Sequence, residues 1–95
     1  MKRLNVAHIQ HQGVDLIIVP LETSFGRKTT TEQNQTTAVL QSYARAAGLV
    51  GTVVPVWDAG VGRMGFLAPS NWRAFFQSID LNFVARNINR QLICQ

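Results

Sequence analysis

The sequence predicts an α+β fold: a small four-stranded mixed or antiparallel sheet with about three helices, in the order β-β-α-β-β-α-α. Short apolar runs rich in β-branched residues end at prolines, as Val14–Val19 does before Pro20, and this pattern is typical of strands. Other segments carry apolar residues at helical spacing behind a capping residue. With 95 residues, the chain is expected to form one domain over residues 1–95.

The first half of the chain predicts a hairpin followed by a helix. Leu4–Gln10 is a short strand candidate, and Gly13 can take the positive φ that the turn before the second strand needs. A loop is expected after that second strand. Thr29 and Glu32 have the spacing of a capping box, which predicts a helix from there to about Ala47.

The second half predicts another hairpin and two helices. Pro55 interrupts the third strand, Thr52–Trp57, and favours an edge or a bulge over a central position because proline cannot donate to a ladder. The fourth strand is Arg63–Ala68, and Ser70 and Asp80 are N-cap candidates for the helices that follow. The last helix is expected to bury a stripe that reaches the end of the chain: Leu81, Val84, Ala85, Ile88 and Leu92. The strands on either side of the first helix are expected to be parallel, joined by a crossover.

The strands are apolar on both faces, so the sheet needs cover on both sides. Alternate residues of a strand point to opposite faces, and an exposed aliphatic side chain forgoes about 1.5–3 kcal/mol. Either the two C-terminal helices cover the second face or another copy of the chain does. The composition, 46% hydrophobic and 15% charged, favours a homo-oligomer, with a dimer as the first expectation.

The charge and cysteine content exclude several classes of protein. The net charge is +4 with a pI near 10.3, but the nine basic residues are scattered. The single cysteine, Cys94, excludes an intrachain disulfide and a multi-cysteine metal site. No apolar run approaches the length of a membrane span, and no signal peptide is recognised after Lys2 and Arg3. A cytoplasmic protein without a cofactor or a metal is expected.

Two loops carry the candidate ligand-binding residues. The turn after the third strand offers an indole wall and two charged groups, and the loop before the first helix offers a hydroxyl and two cations. Plainer interpretations are an Asx turn for the first loop and a solvated loop for the second. The candidates are Trp57, Asp58, Arg63, Ser24, Arg27 and Lys28.

Catalytic chemistry has weaker candidates. His8 can act as a general base with Asp58 as its orienting carboxylate, although a partly exposed structural histidine is the simpler interpretation. The loop around Lys28 lacks the glycine of a Walker A motif, and the pair Gly60 and Gly62 lacks the strand–turn–helix context of a dinucleotide fingerprint. An enzyme is therefore the less favoured class.

Two further surfaces have alternative interpretations. An aromatic cluster at helical spacing predicts either core packing or an interface between copies. Its members are Trp72, Phe75 and Phe76. Three arginines of the C-terminal helices can contact phosphates, but without a nucleic-acid-binding motif this partner is the less favoured one. They are Arg73, Arg86 and Arg90.

The segments HQGVDLIIVPLETSFG and AGLVGTVVPVWDAGVGRMGFLAP, with NWRAFF after them, cover about half the chain. They resemble small uncharacterised bacterial proteins of integron mobile gene cassettes. The resemblance implies a bacterial origin, a cytoplasmic location and a homo-oligomer of α+β type, and it implies no activity. A small binding or accessory protein with a pocket for a small molecule or a partner protein is the first expectation, and a small enzyme at a subunit interface or a nucleic-acid binder is the alternative.

Overall fold

Five strands and three α-helices make up the part of the chain that the computed structural model describes, residues 2–94. The strands are β1 (Lys2–His11), β2 (Val14–Pro20), β3 (Thr52–Gly60), β4 (Arg63–Phe66) and β5 (Arg90–Cys94). The helices are α1 (Thr30–Ala46), α2 (Arg73–Ser78) and α3 (Leu81–Arg86). A 3₁₀ turn at Thr23–Arg27 precedes α1, and a second one at Ser70–Trp72 leads into α2.

The strands form one mixed sheet in the order β4-β3-β2-β1-β5. β2 and β3 are parallel and are joined through α1, which confirms the predicted crossover. The other neighbouring pairs are antiparallel. The predicted class, α+β with a mixed sheet and three helices, is confirmed, but the sheet has five strands rather than four.

Helices of the same chain cover both faces of the sheet. α1 packs on one face, and the core there consists of Val6, Ile17, Val19, Leu40, Ala44, Val53 and Leu92. α2 and α3 pack on the other face, and the core there consists of Ala7, Leu16, Ile18, Val54, Val56, Phe76 and Val84. The alternation along β2 explains this division, because four consecutive aliphatic residues send two side chains to each face. The second face therefore needs no second copy.

The prediction of a last helix that reaches Leu92 is wrong. α3 ends at Arg86, Asn87 is its C-cap, and the following residues form β5 against β1. Leu92 is fully buried between exposed Gln91 and Ile93, which is strand alternation. A strand forms here because the first half of β1 would otherwise have unpaired N–H and carbonyl groups along one edge. Pairing with β5 gives those groups hydrogen-bond partners.

Pro55 lies in an internal strand and not in an edge strand. β3 pairs with β2 on one side and with β4 on the other, but the ladder to β4 begins only at Val56. Leu67 donates its N–H to the Pro55 carbonyl at 3.1 Å, and proline has no N–H to return that bond. The missing donor therefore lies on the side where β4 has ended, which makes an internal proline tolerable.

Two of the three predicted helix caps are present, and the cap predicted at Ser70 is wrong. Ser70 lies inside the 3₁₀ turn that leads into α2, and the N-cap of α2 is Trp72, which makes no capping hydrogen bond through its side chain. Glu32 donates its N–H to the Thr29 hydroxyl at 3.1 Å, and the Thr29 N–H donates to Glu32 Oε1 at 3.3 Å, so the capping box is complete. Asp80 accepts the Phe83 N–H at 2.8 Å at the start of α3. Hydrogen bonds from Thr29, first its N–H and then its hydroxyl, lower the pKa of Glu32, and the charge of Lys28 lowers it further.

Two side-chain amides continue the sheet where strands end. Asn89 accepts the His8 N–H and donates to the His8 carbonyl, both at 2.8 Å, just beyond the end of β5. Gln41 does the same on the other side, since it donates to the Gly51 carbonyl at 3.0 Å and accepts the Val53 N–H at 2.9 Å. Each amide takes the place of a neighbouring strand, so these stretches of edge are closed to another chain.

Candidate functional site

The 3₁₀ turn Thr23–Arg27 is a fixed wall and not a free loop. Phe25, in its middle, is only 3% exposed and is a core residue. The Phe25 carbonyl accepts the Gln33 side-chain amide at 2.9 Å and the Lys28 N–H at 3.2 Å. The Leu21 N–H, just before the turn, donates to the Val56 carbonyl at 2.8 Å. The turn is thus tied to α1 and to β3, and a cleft opens on each side of it.

The first cleft, called the tryptophan cleft, has a volume of about 180 Å³. It is lined by Thr23, Gly26, Arg27, Trp57, Asp58 and Ala59. The two loops that were predicted separately therefore meet here and bring Arg27, Trp57 and Asp58 to one place.

The Trp57 indole is held between two glycines. A Cβ atom on Gly26 or on Gly65 would overlap Nε1 of the indole, so neither position accommodates a side chain while Trp57 stays in place. Gly65 is the cross-strand partner of Trp57 in β4, and the Phe25 ring lies 5.2 Å from the indole, centroid to centroid. The Trp57 side chain therefore packs between the 3₁₀ turn and the β3–β4 hairpin. Part of the Trp57 surface also lines the tryptophan cleft.

The charged residues of the hairpin have structural roles or point elsewhere. Asp58 Oδ1 accepts the Gly60 N–H at 2.8 Å, which is the Asx turn expected of this sequence. Arg63 is exposed at the start of β4, where it pairs with Gly60, and it lines neither cleft. Asp58 also lines the tryptophan cleft.

The second cleft, called the lysine cleft, is larger, with a volume of about 260 Å³. It lies between the start of β1, the end of β2 and the first turns of α1, and it contains the predicted Ser24 and Lys28. Its full lining is Lys2, Leu4, Pro20, Leu21, Glu22, Ser24, Phe25, Lys28 and Thr36. Two ammonium groups, one carboxylate and two hydroxyls thus surround aliphatic and aromatic surface.

The start of α1 contributes less to anion binding than the sequence suggested. The capping box already uses the N–H groups of Thr29 and Glu32, and the carboxylate of Glu32 occupies the place of an anion. Positive charge in the lysine cleft therefore comes from the side chains of Lys2 and Lys28 and not from the helix end.

His8 and Asp58 are far apart in one chain. The register aligns His8 with Ile17 in β2 and Ile17 with Val53 in β3. Asp58 lies five residues further along β3, which is roughly 16 Å at the usual rise of a strand. The His8 Nε2 atom lies 2.8 Å from the Val50 carbonyl, so it is the donor of that bond and fixes the ring against the loop after α1.

The aromatic cluster belongs mainly to the chain's own core. Phe76 is 1% exposed, and the half-buried Trp72 and Phe75 pack against the same core. His11 stacks on Phe75 with ring centroids 4.2 Å apart and meets Trp72 edge to face at 5.9 Å. This histidine contact was not predicted, although His11 and Ile9 share a strand face by simple alternation.

The three arginines do not form one helical stripe. Arg73 begins α2, Arg86 ends α3 and Arg90 begins β5, so the last two are not one helical turn apart.

Within residues 2–94, no helix is both long and apolar enough to cross a membrane. The same residues hold no group of three His, Cys, Asp or Glu side chains placed to bind a metal ion.

Sequence reasoning missed part of the lysine cleft and the glycine that packs against Trp57. Lys2, Leu4 and Thr36 join the lysine cleft only through long-range pairing, and no local pattern indicates this. Gly65 is different, because a glycine inside a strand indicates close approach of another group, and that signal was available.

Comparisons of the chain with protein-family models, with curated proteins and with solved structures give no match.

Proposed function

We propose that this chain is a small binding protein that takes a small organic anion with an apolar body in the lysine cleft and that works as a homo-oligomer. The observation that carries the ligand proposal is the arrangement of Lys2, Lys28 and two hydroxyls around Leu4, Leu21 and Phe25. Binding clefts typically combine an apolar lining with a few polar groups that fix the ligand's orientation. The two lysines outnumber the one carboxylate, Glu22, so a negative group is favoured.

The size of the cleft limits the ligand. A volume of about 260 Å³ lies just below the usual range of about 300–1,000 Å³ for small-molecule sites. A compact carboxylate or phosphate monoester fits this description better than a nucleotide does. The fixed 3₁₀ turn supports the proposal, because a preformed wall reduces the ordering cost of binding.

The homo-oligomer rests on composition. Only 15% of the residues are charged, compared with about 25% in ordinary globular proteins. Since helices already cover both faces of the sheet, the second copy is proposed at an edge or at the outer surface. The cytoplasmic location and the likeness to integron cassette proteins stay predictions.

The ligand proposal is tested by titrating the protein with a panel of compact carboxylates and phosphate monoesters, each beside its neutral amide or alcohol analogue. The chain has two tryptophans, so a Trp72→Phe background makes Trp57 the only fluorescent indole. Trp57 touches Phe25, which lines the lysine cleft, and therefore reports on it. Lys28→Ala should weaken binding about tenfold, as the loss of a charge-assisted bond predicts.

Arg73→Ala is the matched control, because Arg73 is an exposed cation that lines neither described cleft. This control should bind normally. Binding that weakens equally in both variants would indicate a general charge effect and contradict the proposed site. So would an unchanged signal across the whole panel, confirmed by a calorimetric titration.

A further inference from the structure

On the β1–β5 side of the sheet, the exposed edge consists of the end of β1 and the outer edge of β5. Of these two stretches, only the outer edge of β5 is left open by the described side chains. Asn89 closes β1 beyond the end of β5, and Gln41 closes β3 beyond the end of β4. β4 has four residues and sits beside the irregularity between Asp58 and Gly60, and short or twisted edges resist pairing. β5 has five residues in regular register with β1.

The register shows which backbone groups of β5 point outward. The N–H and carbonyl of His8 both face the β5 side, because both bond to Asn89. Alternate residues share this direction, so Leu4 and its partner Leu92 face each other across the ladder. The backbone groups of the intervening residues, Gln91 and Ile93, therefore point away from the sheet.

We propose that β5 pairs antiparallel with β5 of a second copy, about a twofold axis at Leu92. This register matches Gln91 of one copy with Ile93 of the other, so all four outward residues are used and four backbone bonds form. It also avoids a like-charge pair, because Arg90 falls opposite Cys94 of the second copy. The result is a continuous ten-stranded sheet. The inference rests on the homo-oligomer part of the proposed function and not on the lysine cleft.

Side chains beside the junction suit a second copy of the same chain. Ile93 is 50% exposed on the open part of the sheet face, and Leu92 on the opposite face is already buried under α1. α1 lies over β5 and keeps Leu92 covered, so the added apolar contact comes from Ile93.

Charge predicts how this association depends on salt. Lys2, Arg3 and Arg90 lie at the β1–β5 edge of each copy, so two like-charged edges approach each other. Salt screens such repulsion. The dimer should therefore strengthen as ionic strength rises, whereas an interface held by ion pairs would weaken.

A disulfide test reads the register directly. In the proposed ladder, residue 90 and Cys94 of the second copy form a non-hydrogen-bonded pair, with Cα atoms about 4.5 Å apart, which lies within the range of a disulfide. Arg90→Cys should therefore cross-link the dimer under mild oxidation. The same substitution combined with Cys94→Ser should give no cross-link, and neither should Gln91→Cys, whose side chain points to the other face.

Sedimentation separates the failure of this interface from the failure of the homo-oligomer. If the wild type is a dimer but Arg90→Cys does not cross-link, the copies meet elsewhere and the β5 interface is overturned. If the wild type is a monomer at every concentration and salt tested, both proposals are overturned, and ligand titration still tests the lysine cleft. Cross-linking that persists with Cys94→Ser would overturn the register.

A proline variant provides a second readout that spares the fold. The Ile93 N–H points outward and takes no part in the ladder to β1, so Ile93→Pro removes a donor that only a second copy would use. This variant should keep the circular dichroism of the wild type and sediment as a monomer. Ile93→Thr, which keeps the N–H, should still dimerise. Equal association of both variants would contradict edge pairing.

Discussion

Val61 is a valine in a backbone conformation that valine rarely adopts. Its φ is +53°, and it is fully exposed at the tip of the hairpin between β3 and β4. The next residue, Gly62, has a φ of +72°, so the pair forms the positive-φ tip that two-residue hairpins need. The left-handed conformation costs an ordinary L-residue about 1–2 kcal/mol, and β-branching makes it less favourable still.

Val61→Asn should therefore stabilise the protein by about 1 kcal/mol, because Asn-Gly is a preferred pair for this turn. Since Val61 is fully exposed, the substitution removes no buried apolar contact. In a domain of this size, the change corresponds to a rise in Tm of about 4–8 °C. Urea unfolding and calorimetry measure both quantities.

Two controls separate backbone strain from surface polarity. Val61→Thr makes the position polar but keeps the β-branch, so its stability should stay close to that of the wild type. Val39→Asn replaces another exposed valine, on α1, with a residue of similar helix propensity, and it should give no comparable gain. An unchanged Val61→Asn variant, or an equal gain from Val61→Thr, would refute the argument from strain.

Three other substitutions test the packing, the cap and the closed edge. Gly65→Ala should cost about 1–3 kcal/mol, because the new methyl group meets the Trp57 indole, and clearly less in a Trp57→Leu background. An equal cost in both backgrounds, measured by urea unfolding, would contradict this packing. The pKa of Glu32 is lowered in the folded state. The ionised carboxylate therefore adds to the free energy of unfolding at neutral pH, and this stabilisation is lost as the pH falls below about 4. Wild-type stability should therefore fall more steeply in acid than that of Glu32→Gln, which keeps the cap without the titration; parallel curves would disprove this role. Asn89→Ala should cost about 1–2 kcal/mol, because two backbone bonds to His8 are lost. Unchanged amide exchange at His8 would show that Asn89 does not close this edge.

Local signals in the sequence predicted the local structure. The spacing of Thr29 and Glu32 located the start of α1 to the residue, and Asp80 located the start of α3. Both caps depend only on residues three positions apart, so no tertiary contact is needed to recognise them. The crossover through α1 also followed from sequence order, because a strand–helix–strand unit favours a parallel pair.

Long-range competition explains the missing strand. Val84, Ile88 and Leu92 have helical spacing, but Leu92 between Gln91 and Ile93 also fits a strand. The sequence alone does not show that β1 begins at Lys2 and leaves an edge to be paired. The unpaired backbone N–H and carbonyl groups of β1 favour the strand over the helix. In sequence, β1 is separated from Leu92 by almost the whole length of the chain.

The candidate site was predictable in its parts and not in its arrangement. The sequence predicts Trp57 and Lys28 as candidates in two separate loops, and the fold places them on opposite sides of one 3₁₀ turn. Phe25 links them, since its buried ring contacts Trp57 and also lines the lysine cleft.

The case for a partner changes from the face of the sheet to its edge. Apolar residues on both faces of β2 suggested missing cover, but α1 supplies it on one face and α2 and α3 supply it on the other. What a single chain cannot supply is a neighbour for the outward N–H and carbonyl groups of Gln91 and Ile93. Asn89 and Gln41 close the exposed stretches of β1 and β3 with their own amides, and β4 at the other edge is short and lies beside an irregularity. The β5 edge is therefore where a second copy has the most hydrogen bonds to gain.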